Sequence, residues 1–241
     1  MISNADLVTH ELSLVEGELR PGLELSFQLN RDGKTMNRRI RKVAAKTTQK
    51  SYQQFGEQLS AGEHLPTLSA VNAIRRFRGV KRAIIPANYT ENYQGDNFTP
   101  QESLARKVVQ EIMVQFNKEI GREAKALHLP YPHRYTDYVY ADEVLDSGVE
   151  DASEVRAIAG ERLKRAFYSP QPRFHEDLET HFYTHTSSPL RRQMDLLGHN
   201  IWDLVLRGAR PEDINHKAIA RNTEHINRLR AQRFIHIGRD F

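Results

Sequence analysis

Residues 23–30, LELSFQLN, alternate apolar and polar side chains, a period of two that predicts a strand with one face turned inward. Asp32-Gly33 supplies a tight turn and TMNRRIRKV at 35–43 leads away from it, so the first element expected is a β-hairpin. Helical spacing comes next. Tyr52, Phe55 and Leu59 share one face, as do Leu68, Val71 and Ile74 in the next segment. Residues 79–98, rich in Pro, Gly and Asn and without a clear period, read as a connector or exposed loop. From 99 the signals sharpen: Thr99 caps, Pro100 suits the first helical position, Glu102 completes a capping box, and Leu104, Val108, Ile112, Met113 and Phe116 form the inward stripe. A further helix is expected from about Asp151, with Glu154 three residues on and Val155, Ile158, Leu163 and Phe167 inward. Another begins at Ser188-Pro189 with Met194, Leu197, Ile201 and Leu204 inward and Trp202 in the core, and 211–234 forms a long last one. The pattern is an α+β chain, mainly helical, with an N-terminal β-hairpin.

Composition narrows the classes. A chain of 241 residues, 39% hydrophobic and 27% charged, is long enough to bury a core. No apolar run approaches the ~18 residues that a membrane helix needs, and the first residues lack the charged start and apolar centre of a secretory signal. The absence of cysteine excludes disulfides, thiol nucleophiles and thiolate zinc sites, which fits a reducing compartment and sets the expectation of a cytoplasmic protein. The net charge of +4 is modest but unevenly spread. Between Lys34 and Lys50 stand seven basic residues and no acid, Arg38, Arg39, Arg41 and Lys42 among them, and RRFRGVKR at 75–82 adds five more. Such stripes suit a polyanion, because neutralising phosphates releases counterions; a solvated strand face is the other explanation.

One short stretch, SSPLRRQMD at 187–195, raises a question of its own. A helix capped by Ser188 presents a positive dipole end, where Arg191 and Arg192 are costly unless an anion is bound. A phosphate pocket explains them. A surface arrangement with Arg191 paired to Asp195 and Arg192 in solvent explains them equally well.

YTHTSSPLRRQMDLLGHN at 183–200 resembles the late signature of the RNB family, the catalytic domain of ribonuclease II and ribonuclease R, whose pattern is approximately YTHFTSPIRRYPDLxxHR. Tyr183, Thr184, His185, Ser188, Pro189, Arg191, Arg192, Asp195, Leu196 and His199 match it without a gap. The preceding FYSPQPRFHEDLETHFY is similar to the family's YSPxNxGHFGLALEAY, and VVQEIMVQFN resembles the family helix IVEEFMILAN, with Glu111, Met113 and Asn117 matching. Near the start, LSLVEGELRP resembles the phrase that precedes the family's hairpin. The resemblance runs with interruptions over about 7–235 and implies a single partial domain equivalent to the second half of an RNB catalytic domain. It implies 3′-end hydrolysis of RNA, with Arg191 on the scissile phosphate, Ser188 and Arg192 beside it, Glu111 as a hydrogen-bond partner near that phosphate, and Tyr52 stacking on a base.

The resemblance also implies Mg²⁺, held in the family by Asp residues in a D-x5-D-x-D-D pattern that this sequence lacks. Gln193-Met194 replaces the usual Tyr-Pro, Thr186-Ser187 replaces Phe-Thr, and Asn200 replaces Arg. Two functions are therefore expected. In one, the chain is the C-terminal half of a split exoribonuclease, binding single-stranded RNA while a second polypeptide with the domain's first half supplies the metal ligands. In the other, it is a non-catalytic remnant that binds RNA or a protein. A third possibility, a metal site in RFHEDLETHFYTH using His175, Glu176, Asp177, Glu179, His181 and His185, lacks the H-E-x-x-H spacing, since Glu179 stands where the second histidine is needed. A polar segment with hydrogen-bonding histidines explains the same residues.

Overall fold

The alternating segment forms β1 (Leu19–Leu29), paired antiparallel with β2 (Thr35–Lys46), with one register shift between Ser26 and Gln28. The computed structural model describes residues 14–89, 97–140 and 162–237. The hairpin turn is held by Asn30, whose Oδ1 accepts from the N–H groups of Asp32 (3.0 Å) and Lys34 (2.9 Å). Gly33 is required there twice over: its φ is +85°, and a Cβ would lie 2.0 Å from the Ala73 carbonyl oxygen.

Two compact units divide the chain, Met1–Phe116 and Asn117–Phe241. In the first, α1 (Tyr52–Ser60) starts at a capping box between Ser51 and Gln54, and α2 (Leu65–Phe77) comes after it. The expected cap of α3 (Pro100–Ala126) is present, with Glu102 N–H donating to Thr99 Oγ1 at 3.1 Å and Thr99 N–H to the Glu102 carboxylate at 3.0 Å. Leu59, Leu68, Val71, Ile84, Leu104 and Val108 form the core, each burial contributing ~1.5–3 kcal/mol. The α3 stripe is narrower than its sequence suggests: Ile112 is 40% exposed. Within 79–98, Ile84 is buried, tied through its backbone to the Asn72 amide, and Pro86–Asn88 form a 3-10 turn; residues 90–96 lie outside the described residues.

In the second unit, β3 (His133–Tyr140) pairs antiparallel with β4 (Arg162–Ser169), from His133 opposite Ser169 to Tyr140 opposite Arg162. This corrects the helix expected to carry Leu163 and Phe167; both are in a strand, because pairing with β3 overrides their helical spacing. The start of that helix, 151–161, lies outside the described residues. Two helices complete the unit, α4 (Gln193–Leu206) and α5 (His216–Ile237), the latter preceded by a 3-10 turn at Pro211–Asp213. Tyr131, Met194, Ile201, Trp202, Ile214 and Ile219 are buried, whereas Leu204, expected inward, is 45% exposed. Asn227 of α5 docks on β4 by accepting from Tyr168 N–H and donating to its carbonyl, both at 2.8 Å. Among the described residues no helix is long and apolar enough to cross a membrane.

Candidate functional site

The segment carrying the arginine pair is fixed from its N-terminal side. Gly121 of α3 lets the chain pass so closely that a Cβ would sit 2.1 Å from the Phe182 carbonyl oxygen. Arg134 N–H then donates to the Tyr183 carbonyl (2.8 Å), Thr184 Oγ1 to the Pro132 carbonyl (2.7 Å), and Thr186 N–H to Asn117 Oδ1 (3.1 Å). Asn117 Nδ2 donates to the Tyr183 hydroxyl at 3.3 Å, and His199 Nε2 to the Thr186 carbonyl at 2.7 Å. Strand, helix and loop thus hold residues 183–186 by both backbone and side chain.

Residues 188–192 form a turn rather than the first turn of a helix. The Ser188 carbonyl accepts from the N–H groups of Arg191 (3.3 Å) and Arg192 (3.0 Å), but Arg192 is extended (φ −123°, ψ 118°) and α4 begins only at Gln193. The Ser188 cap is therefore corrected: Arg192 occupies the cap position, and Ser188 N–H donates to the Asp195 carboxylate at 2.8 Å. Asp195 is 0% exposed and also accepts from Arg192 Nε at 2.9 Å, while Arg192 Nη2 donates to Ser187 Oγ at 3.0 Å. The expected pairing is reversed. Arg192 is bound to Asp195, and Arg191 is exposed, with no side-chain hydrogen bond or ion pair among the described residues. Asp195 at the N-terminal turn offsets the cation that the dipole disfavours.

Behind the turn lies a buried polar group. Arg134 Nη1 stands 2.7 Å from His185 Nε2, and the Tyr168 hydroxyl 2.9 Å from His185 Nδ1. Burial, then the cations of Arg134, Arg192 and Arg230, push His185 down to about 2, so it is neutral and accepts from Arg134. A neutral ring has one acceptor nitrogen, and Arg134 Nη1 lies near both, 2.7 Å from Nε2 and 3.0 Å from Nδ1. Burial and Lys125 push His133 down to about 4. Burial raises the Tyr131, Tyr168 and Tyr183 phenols, so all three are protonated near neutrality.

In the first unit, Arg39 and Arg41 lie on one face of the hairpin, Arg38 and Lys42 on the other, and Arg41 Nε donates to Glu24 across the strands at 2.8 Å. Tyr52 is 39% exposed, with the Arg106 guanidinium 4.2 Å from its ring centroid and 3.8 Å from that of Phe98. Glu111 is 4% exposed and ion-paired with Arg75, Arg78 and, at 3.5 Å, Lys107. Its carboxylate is consumed by these cations, not presented to a ligand. Two arginines of the 75–82 run are thus internal counterions rather than part of a polyanion stripe. Sequence reasoning missed Arg134 and Arg106: each is a lone cation in a mixed segment, and only the tertiary contacts distinguish it.

Metal ligands do not converge here. His175 is buried edge-on against Tyr183, whereas Glu176, Asp177, Glu179 and His181 are exposed. Among the described residues no three His, Asp or Glu side chains gather as a metal site, so the residues present do not fit the divalent ion of the family chemistry.

The RNB domain family model matches residues 4–208, which takes in the turn, the buried histidine and the hairpin together. The chain belongs to the RNB domain family. Ribonuclease R of Thermotoga maritima is 25% identical over 244 residues, covering 80% of this chain and 34% of that protein. The apo form of Mycoplasma genitalium RNase R superposes with a TM-score of 0.66 at 15% identity, covering 96% of this chain and 45% of that one. Yeast Ssd1, a pseudonuclease, superposes with a TM-score of 0.63 at 18% identity, covering 90% and 33%. The RNB chain described here spans less than half the length of each, and its fold is that of an RNB exoribonuclease domain shared by nucleases and a pseudonuclease.

Proposed function

We propose that this RNB chain binds single-stranded RNA and places the scissile phosphate on Arg191, as the C-terminal half of a cytoplasmic 3′-5′ exoribonuclease domain. The observation that carries this reading is the asymmetry of the pair: the turn anchors Arg192 on Asp195 and leaves the adjacent guanidinium in solvent, without a counterion among the described residues. A planar fork donor so placed suits a phosphodiester and the charge that develops on it during cleavage. The Mycoplasma RNase R is known in complex with single-stranded RNA, which supports the same ligand class here.

Metal-assisted hydrolysis needs carboxylates to hold its ions. In this reading Mg²⁺ and the Asp ligands belong to the first half of the domain, on a second polypeptide. Mixing the chain with a polypeptide carrying that half, Mg²⁺ and 3′-labelled single-stranded RNA should release labelled mononucleotide, and Arg191→Ala should abolish release without altering the urea midpoint. An unchanged rate in that variant refutes the phosphate role. The other reading, RNA binding without hydrolysis, is favoured by the missing acidic pattern; RNA binding that persists while no mononucleotide is released from any such mixture would establish it.

A further inference from the structure

Among the described residues, Arg134 carries a charge that no carboxylate answers. Its Nε is buried without a hydrogen-bond partner, and among the described residues its guanidinium bonds only to the ring of His185, which is neutral. Around it stand more cations: Arg230, 5.8 Å over the Tyr168 ring, and Arg192, both of which hold the Arg134 guanidinium below its ordinary pKa after the larger effect of burial. The nearby carboxylate, Asp195, gives one oxygen to Ser188 N–H and Arg192, and its other oxygen is buried without a hydrogen-bond partner. Among the described residues Asp195 is ion-paired with Arg192, and neither Arg134 nor Arg230 has a carboxylate partner. A partly buried guanidinium without a carboxylate, as at Arg134, is expensive unless an anion completes the set.

The fixed partners also say which anion. His185 anchors one edge of the Arg134 fork, which directs the remaining N–H donors, and the Tyr168 hydroxyl stands 2.9 Å from the same ring. Planar guanidinium donors with a phenol match phosphate oxygens. Arg192 links this group to the turn that carries Arg191.

We propose that Arg134, Arg230 and the Tyr168 hydroxyl form a second phosphate subsite, which takes a phosphodiester next to the one on Arg191 and so grips the strand at two successive positions. This rests on the reading that an RNA strand passes Arg191. Fluorescence anisotropy with labelled oligouridylate over a salt series tests it, with ³¹P line broadening of orthophosphate as an independent probe. Arg134→Gln should weaken RNA binding about 5–20-fold and flatten the slope of log K against log salt by about 0.7, the share of one single-strand phosphate. Arg134→Lys, which keeps the charge and loses the fork, should restore most of the slope and little of the affinity. Arg230→Gln, at an exposed side chain, should weaken binding several-fold and decides the matter if Arg134→Gln does not fold.

Wild-type RNA affinity and slope in both Arg134→Gln and Arg230→Gln, with weakened binding in Arg191→Ala, overturn the subsite and leave the Arg191 reading standing. Orthophosphate binding that depends on Arg134 in a chain that ignores RNA preserves the subsite and removes the strand reading. No binding of either probe by the wild type removes both. If Arg134→Gln loses affinity only for a polypeptide bearing the family's acidic half, the anion is a carboxylate and the phosphate proposal fails.

Discussion

Glu111 in the first unit and Asp195 in the second are both buried acids set among arginines, yet their surroundings differ. Arg75, Arg78 and Lys107 all reach Glu111, so each cation of that group has the same acid and the cluster is closed. Asp195 holds Arg192 and one backbone N–H through a single oxygen, while Arg134 and Arg191 have no carboxylate partner among the described residues. The first arrangement ties α2 to α3. The second leaves positive charge uncancelled behind and in front of a rigid turn, which is what a site for an external anion needs.

The largest expected effect is in the closed cluster. Glu111→Gln removes the acid that three cations share, and leaving those charges uncompensated should lower stability by about 3–5 kcal/mol, read as a shifted urea midpoint. A loss well under 1 kcal/mol would show that the cations find water instead, and the contrast between the clusters would vanish. Asp195→Asn should cost less, about 1.5–3 kcal/mol, because both hydrogen bonds end on one carboxylate oxygen, which the amide oxygen replaces, and the loss is that of the charge. It should also loosen Arg192, whose ion pair becomes an ordinary hydrogen bond.

The buried histidines give the next effect, with a sign fixed by linkage. His133 at about 4 and His185 at about 2 titrate below the ~6.5 of an unfolded histidine, so as pH falls from 6.5 the unfolded chain takes up protons that the folded chain refuses. Stability is full above about pH 7 and declines below it, by about 2 kcal/mol for each histidine at pH 5. Urea unfolding at about pH 8 and pH 5 measures this, and His185→Gln should remove about half of the difference. A pH-independent midpoint would mean that neither ring is held neutral.

Much of the scaffold was legible where the signal is local. The Asp32-Gly33 turn, the Thr99–Glu102 box and the spacing of Leu68, Val71 and Ile74 depend on neighbours a few residues away, and each is found. The failures are non-local. Leu163 and Phe167 are spaced for a helix but pair with a strand about thirty residues earlier, which no period reveals. Ser188-Pro189 has the composition of a helix start, yet the Asp195 carboxylate captures the Ser188 N–H and the chain extends at Arg192 before α4. The family signature pointed to this turn, but which of Arg191 and Arg192 meets Asp195 is a matter on which residue order is silent. Arg134 escaped notice for the same reason.

The smallest stability effect carries the sharpest test of the contrast. Arg191 is exposed and contacts no carboxylate among the described residues, so Arg191→Ala should move stability by no more than ~0.5 kcal/mol, the range of a surface substitution. Arg41→Ala, which breaks the exposed pair with Glu24, is the matched control and should behave alike, since such pairs contribute about 0–1 kcal/mol. The two variants should part in RNA binding. Each removes one cation, but only Arg191 sits on a turn held by Asp195 and preceded by a segment that Asn117 and His199 hold at Thr186, so its loss should weaken RNA binding more than that of Arg41. Equal losses of affinity from the two would reduce Arg191 to one more diffuse surface charge, whereas unequal losses at equal stability locate the contact in a guanidinium, carried on a held turn, that the fold itself does not need.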